Sequence, residues 1–225
     1  MTQSEAREAI LARIRNAVTR SSDDCEREVV AGYQRVGSRM PEERLALFVE
    51  RLREYDAQVV TVEAAGVAKA LGELLRPDAE HAVPWVAADG FPADWLAECP
   101  AVLPETEAGV DELNRCAGVV TTCTLGIAVT GTLVLQHGAG EGRRRTTLLP
   151  DRHLSVIHAS QVVETVPEAF ARLAQSATRP LTFISGPSAT ADIEMTRIRG
   201  VHGPRQLTVI LAEDWIRLFP ATRHS

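Results

Sequence analysis

Residues 58–87 read QVVTVEAAGVAKALGELLRPDAEHAVPWVA, and this stretch decides the fold class. The run 58–62 reads as a strand, 63–75 as a helix and 83–87 as a second strand, the alternation expected of parallel βα units. The same reading extends in both directions. Downstream, 100–103, 117–121 and 133–136 are further strands, 155–158 follows the turn Leu149-Pro150-Asp151-Arg152-His153, and 167–175 is helical. Segments 181–185 and 207–211 then finish a single sheet. Upstream, Pro41 followed by Glu42 and Glu43 starts a helix, because proline suits the first turn and the acids face the positive end of the helix dipole. Its buried face comes from Leu45, Phe48, Val49 and Leu52. At the N-terminus, Ala6, Ile10, Ile14 and Val18 recur every four residues among Glu and Arg, marking an amphipathic helix. The polar stretch 19–27 reads as a linker and 29–39 is ambiguous. The expected organisation is an N-terminal helical extension and linker over 1–40 and an α/β domain over 41–225. No internal repeat appears, which excludes a solenoid.

Composition bounds the function classes. With 225 residues and 45% hydrophobic content, the chain can bury a sizeable core. A net charge of −6 gives no overall basic footprint, so general nucleic-acid binding is not expected. No apolar run approaches the roughly 20 residues that span a bilayer, and the N-terminus has no signal-peptide pattern. A cytoplasmic protein is the expectation. Cys25, Cys99, Cys116 and Cys123 lack C-x-x-C spacing and make no metal or cluster motif. Cys116 and Cys123 read as small, reduced core residues.

Two polar interruptions of strand-like sequence suggest a shared cleft. The first is Thr130-Gly131-Thr132. Gly131 permits close backbone approach, and the hydroxyls with nearby amides can cradle a carboxylate or phosphate. The alternative is a tight turn or bulge linking two sheet segments. The second comprises Gly186-Pro187-Ser188-Ala189-Thr190-Ala191-Asp192-Ile193-Glu194 and Gly200-Val201-His202-Gly203-Pro204-Arg205. Gly186-Pro187 stops a strand, and Ser188 is placed to cap a short helix running through Thr190 to Glu194, with its amides toward an anion. On that helix Asp192 and Glu194 point about 200° apart, so only one faces a ligand. Asp192 is a candidate proton acceptor, or else a carboxylate bonded to loop amides. His202 titrates near neutrality and can move a proton, or can be a structural histidine. Arg205 suits bidentate carboxylate recognition, with an ion pair to Asp192 or Glu194 as the alternative. Gly138 to Arg145 reads as a mobile basic loop, either closing over an anion or simply solvated. Asp151 and His153 lie close enough in sequence to join the cleft, but no G-x-S-x-G nucleophile accompanies them. In an open α/β sheet such a site is expected beyond the carboxyl ends of strands, as at 184–186. Neither G-x-G-x-x-G nor a P-loop is present, and no flavin, nicotinamide or iron ligand set is recognisable.

The run GIAVTGTLVL, the LPDRH turn, GPSATADIE and GVHGPR, in that order, resemble the LUD-domain family of the lactate-utilization protein C type. The likeness covers roughly the last half of the chain. Two positions depart from the family pattern: Val129, where an acidic residue is common, and Ala189, where a basic one is frequent. The resemblance implies the fold of ribose-phosphate isomerase, glucosamine-phosphate deaminase and the CoA transferases. It also implies a role in oxidising L-lactate to pyruvate alongside separate iron–sulfur proteins, with no cofactor in this chain and no metal ligands. Under it, Thr130, Gly131, Thr132, Ser188, Thr190, Glu194 and Arg205 hold a small carboxylate or other anion, and His202 and Asp192 carry the proton chemistry. Two alternatives stand beside it: a stand-alone isomerase or CoA-transferase-like enzyme, and a metabolite-binding regulator.

Overall fold

The computed structural model describes residues 3–21, 34–76, 83–100, 102–174, 179–191, 197–199 and 203–213. The chain divides into two compact units, residues 1–34 and 35–225. In the first unit the described structure is helix α1 (Gln3–Ser21), on which Ile10, Ile14 and Val18 are exposed.

The second unit starts with an extended strap. Gly37 N–H donates to Glu168 Oε1 at 3.2 Å, and Arg39 N–H donates to Glu164 Oε2 at 2.7 Å. The Arg39 guanidinium adds an ion pair to Glu164 at 2.8 Å. These bonds tie residues 35–40, grouped by sequence with the N-terminal extension, into the α/β unit. Helix α2 (Pro41–Glu54) then begins where Pro41 and its acidic first turn place it, and buries Phe48 and Leu52 completely.

Strand β1 (Gln58–Glu63) and helix α3 (Val67–Leu74) open the βα alternation. Strands β2 (Trp85–Ala87) and β3 (Val102–Pro104), the short helix α4 (Val110–Arg115) and strand β4 (Val119–Thr122) follow. With the later strands β7 (Arg152–His158) and β12 (Gln206–Glu213) they complete a six-stranded sheet in the order β1-β12-β7-β4-β2-β3, parallel throughout. The two central strands, β7 and β12, pair from Arg152–Gln206 to His158–Ala212. Burial on both faces explains why residues 207–212 read as an almost unbroken apolar run. Leu154, Val156, Ile210 and Ala212 pack with Val67 and Leu71 of α3 on one face. Ile157, Leu207, Val209 and Leu211 pack with Phe48 and Leu52 of α2 on the other.

The expectation of a single sheet is corrected here. Segments 133–136 and 181–185 lie in a second, four-stranded sheet made of β5 (Leu125–Ile127), β6 (Thr132–Leu135), β8 (Val162–Val163) and β9 (Thr182–Ile184), in the order β8-β5-β6-β9. Chain connectivity is the reason. Residues 128–131 alone join β5 to β6, and so short a link permits only an antiparallel pair, since a parallel crossover needs about a dozen residues. Helix α5 (Val166–Leu173), capped by the Thr165 side chain, packs Ala169 and Leu173 against this sheet.

A second correction concerns the segment after Ser188. In place of a capped helix, strand β10 (Ala189–Ala191) pairs antiparallel with β11 (Arg197–Arg199). The Ser188 N–H is committed to Pro204 O at 2.7 Å, which holds this point of the chain extended rather than helical.

Candidate functional site

The T-G-T triplet closes the β5–β6 hairpin. A 3-10 turn over Ala128–Thr130 ends at Gly131, which is left-handed at φ +57°. A Cβ at Gly131 would lie 2.7 Å from the backbone carbon of Arg51 and 2.8 Å from Leu52 N, so glycine is required for the turn to meet helix α2. Thr132, only 4% exposed, places its Oγ1 2.7 Å from both Thr130 Oγ1 and Ser185 Oγ. Ser185 ends the strand-like run before Gly186. The hydroxyl chain therefore leads from the first motif to the second, and the Ser188–Pro204 bond joins the second motif to the GPR loop.

Where these loops meet there is a cleft of about 180 Å³, whose polar lining is Arg144, Thr147, His153, Thr182, Ser185 and Ser188. This is smaller than the ~300–1,000 Å³ typical of drug-sized sites and suits a ligand of a few heavy atoms. Leu207 and His153, each the second residue of its strand, lie at its base, so the cleft opens at the amino ends of β12 and β7. The sequence had placed it beyond carboxyl ends. That holds for β9 of the small sheet but not for the central strands of the large one.

The sequence-derived residues fall into three groups. Ser188 lines the cleft, while Thr130, Gly131 and Thr132 stand behind it, connected through Ser185. Thr190 sits in β10 opposite Ile198. Arg205 is turned to another partner, its Nε donating to Asp151 Oδ1 at 2.9 Å with both side chains more than half exposed. Its ion pair among the described residues is with Asp151. Asp192, Glu194 and His202 lie outside the described residues.

The segment 138–145 is anchored, contrary to the expectation of a mobile loop. Glu105, 1% exposed, accepts hydrogen bonds from Thr146 Oγ1 at 2.5 Å, Arg143 N at 2.9 Å and Asp89 N at 3.3 Å. Buried Glu141 accepts from Thr124 Oγ1 and Gln136 N, each at 2.5 Å. Gly140 passes its N–H to Asp89 O and accepts from Thr122 N at its own carbonyl. The loop thereby fixes Arg144 and Thr147 at the cleft. Arg144 donates to Thr182 Oγ1 at 3.1 Å, and the same hydroxyl lies 2.6 Å from His137 Nε2.

His153 is the most constrained group of the site. It is 2% exposed, and its Nε2 lies 2.8 Å from Thr121 Oγ1 on the neighbouring strand. Its Nδ1 is buried with no hydrogen-bond partner. Burial pushes its pKa down to about 4, so the ring is neutral at physiological pH. No group of three or more His, Cys, Asp and Glu among the described residues is arranged to hold a metal ion. No helix among them is long and apolar enough to cross a membrane.

Residues 2–212 of the chain match the family model described as LUD domain. The chain belongs to the LUD domain family. It is 42% identical over 176 residues, 75% of this chain and 79% of the relative, to a protein of Deinococcus radiodurans named lactate utilization protein C. A protein of the same name from Halalkalibacterium halodurans is 35% identical over 116 residues, which span 49% of this chain and 50% of that one. A solved structure of a DUF162 family protein from Deinococcus radiodurans matches with a TM-score of 0.65 at 35% identity, covering 78% of this chain and 99% of that chain. Within this LUD domain, the residues that sequence reasoning underweighted are His153, Thr182, Ser185 and Thr147. The signal for His153 was present as one histidine in the apolar run 153–157. Thr182 and Thr147 carried none, since isolated threonines suit any strand or turn.

Proposed function

We propose that this LUD domain protein is a substrate-handling, non-redox subunit of a cytoplasmic system that oxidises L-lactate to pyruvate, with electrons leaving through separate iron–sulfur proteins. The observation that carries this reading is the 42% identity, over three quarters of the chain, to a relative named lactate utilization protein C. The size and polarity of the cleft support it. Arg144 at the rim offers a guanidinium for a carboxylate, and the Ser185 and Ser188 hydroxyls supply donors around it. His202 adjoins cleft-lining Gly203 and is the proton carrier in this reading, with Asp192 its counterpart. The parallel sheet with hydroxyl-bearing loops agrees with kinship to the ribose-phosphate isomerase, deaminase and CoA-transferase fold, where such loops bind anionic substrates.

Acceptor reduction by the purified full-length chain tests the proposal. The isolated protein is expected not to oxidise L-lactate with artificial acceptors or nicotinamide cofactors, and mixing with matching iron–sulfur partners is expected to establish oxidation. Arg144→Gln should depress that reconstituted activity more than Arg205→Ala, because Arg205 is engaged with Asp151 outside the cleft. Robust lactate oxidation by the chain alone would overturn the subunit reading. Turnover of a sugar phosphate or acyl-CoA would replace it with the isomerase or transferase alternative.

A further inference from the structure

Arg144 differs from the arginines near it in what holds its side chain. Arg143 pairs with Asp89 and Glu105, and Arg205 with Asp151. Among the described residues the Arg144 guanidinium is within ion-pair distance of no carboxylate, and its Nη1 donates to the Thr182 hydroxyl at 3.1 Å. The bonds behind that hydroxyl run one way. His137 Nδ1 lies 2.8 Å from Gly142 O, and a carbonyl only accepts, so Nδ1 carries a proton. In the neutral ring Nε2 is then a bare acceptor. It lies 2.6 Å from Thr182 Oγ1, which turns its single proton to the ring and a lone pair to Arg144. The His137 backbone is left-handed at φ +55°, a conformation uncommon outside glycine that persists where the surroundings fix it. Here Glu141 does so, accepting from Gln136 N at 2.5 Å and donating its own N–H to Gly138 O at 3.1 Å.

We infer that His137 is a positioning residue for anion recognition: acting through Thr182, it fixes the Arg144 guanidinium at the cleft while touching no ligand itself. The inference rests on the proposed reading of the cleft as a small-carboxylate site and names the residue behind its charged group. Arg144 is exposed, and an untethered exposed arginine samples many rotamers that it must give up on binding. Tethered through Nη1, it has already lost part of that freedom, and the rest of its planar fork is held ready for a carboxylate. The Thr182 hydroxyl is a directional tether only while its own proton is committed elsewhere. Without Nε2 as acceptor, that proton is free to rotate toward the guanidinium, where the two positive ends repel. Thr182 and Arg144 line the cleft, whereas His137 is not among its lining residues. A histidine that merely closed the 137–142 turn would need only its bond to Gly142.

Asparagine separates these two roles, because it tolerates a left-handed backbone and offers a donor in the place of Nδ1, yet is too short to reach Thr182. Full-length ¹⁵N-labelled protein is titrated with L-lactate and with acetate and followed by its amide spectrum. His137→Asn is expected to keep the folded spectrum and to bind both acids about three- to tenfold more weakly, the scale of one net hydrogen bond. Thr182→Val is expected to lose at least as much, and Thr182→Ser to restore native affinity. Relaxation of the Arg144 side-chain Nε–H is expected to report greater motion in His137→Asn than in the unmodified protein. Histidine nitrogen NMR in mildly alkaline buffer is expected to show His137 protonated on Nδ1 and bare on Nε2. Native affinity in His137→Asn, unchanged Arg144 motion, or an Nε2-protonated ring in the unmodified protein would overturn the inference and leave the carboxylate cleft standing. Should His137→Asn not fold, the two Thr182 variants and the ring tautomer decide the question. Failure of L-lactate, pyruvate and acetate alike to bind the unmodified protein would remove the small-carboxylate cleft itself, and this inference with it.

Discussion

Glu105 is the residue whose removal should reveal most about how the cleft is held. Its carboxylate lies at the end of β3 and organises residues 143–146, immediately beside cleft-lining Arg144 and Thr147. Glu105→Ala orphans two short hydrogen bonds, from Thr146 Oγ1 and Arg143 N, and one long one from Asp89 N. At roughly 1.5 kcal/mol for each short bond to a charged group, the loss comes to about 3 kcal/mol. For a unit of this size that lowers the melting temperature by about 6–12 °C. Glu105→Gln can retain the two short bonds through Oε1 and forfeits the long one, for a cost of about 1 kcal/mol. Urea unfolding followed by the fluorescence of core Trp85 and of Trp95 packed beside it measures both variants. The dependence on pH carries a definite sign. Burial alone would raise the Glu105 pKa, but the bonds from Thr146, Arg143 and Asp89, together with the Arg143 charge, outweigh it and hold the group below its ordinary value. A depressed folded pKa means stability that is present above the unfolded value of ~4.3 and is lost as pH falls through the folded value. The gap between the native protein and Glu105→Gln is therefore full at neutral pH and closes in acid. An Ala variant as stable as the native protein, or a gap that widens in acid, would refute this account of the loop.

Gly131→Ala must place a methyl 2.7 Å from the α2 backbone at φ +57°, and a helix backbone cannot move aside as a side-chain tip can. A loss of at least about 2 kcal/mol is expected from strain and overpacking together, readable as a lower melting temperature. Cys123 is fully buried, and burial drives its thiol pKa far up, so it should resist a thiol reagent in the native state and react only on unfolding. Mass mapping of labelled peptides before and after urea addition checks this, and native labelling at Cys123 would show that the interior behind His153 is not dry.

The fold class was legible because its signals are local. A parallel strand buried on both faces must be apolar along its length, as residues 207–212 are, and a helix that starts at Pro41 with acids after it needs no distant partner. Likewise, the two polar motifs announced themselves by interrupting strand-like sequence, and the Thr132–Ser185 bond links the first to the strand end before the second, but of the candidate site residues that are described only Ser188 lines the cleft. Which groups a polar side chain meets was not legible. His153 depends on Thr121, Glu105 on Arg143 and Thr146, and Arg205 on Asp151, each pair separated by more than 30 residues and joined only when particular strands and loops become neighbours. The second sheet was missed because β5 and β8 are three and two residues long, too short for a period-2 pattern to emerge. Sequence alone thus determined what each segment could be, since backbone propensity and apolar periodicity act within a few residues. Tertiary structure alone decided the state of each buried polar group, because the free energy of an ionisable or hydrogen-bonding group in the interior is set by the one or two partners that chain packing brings to it.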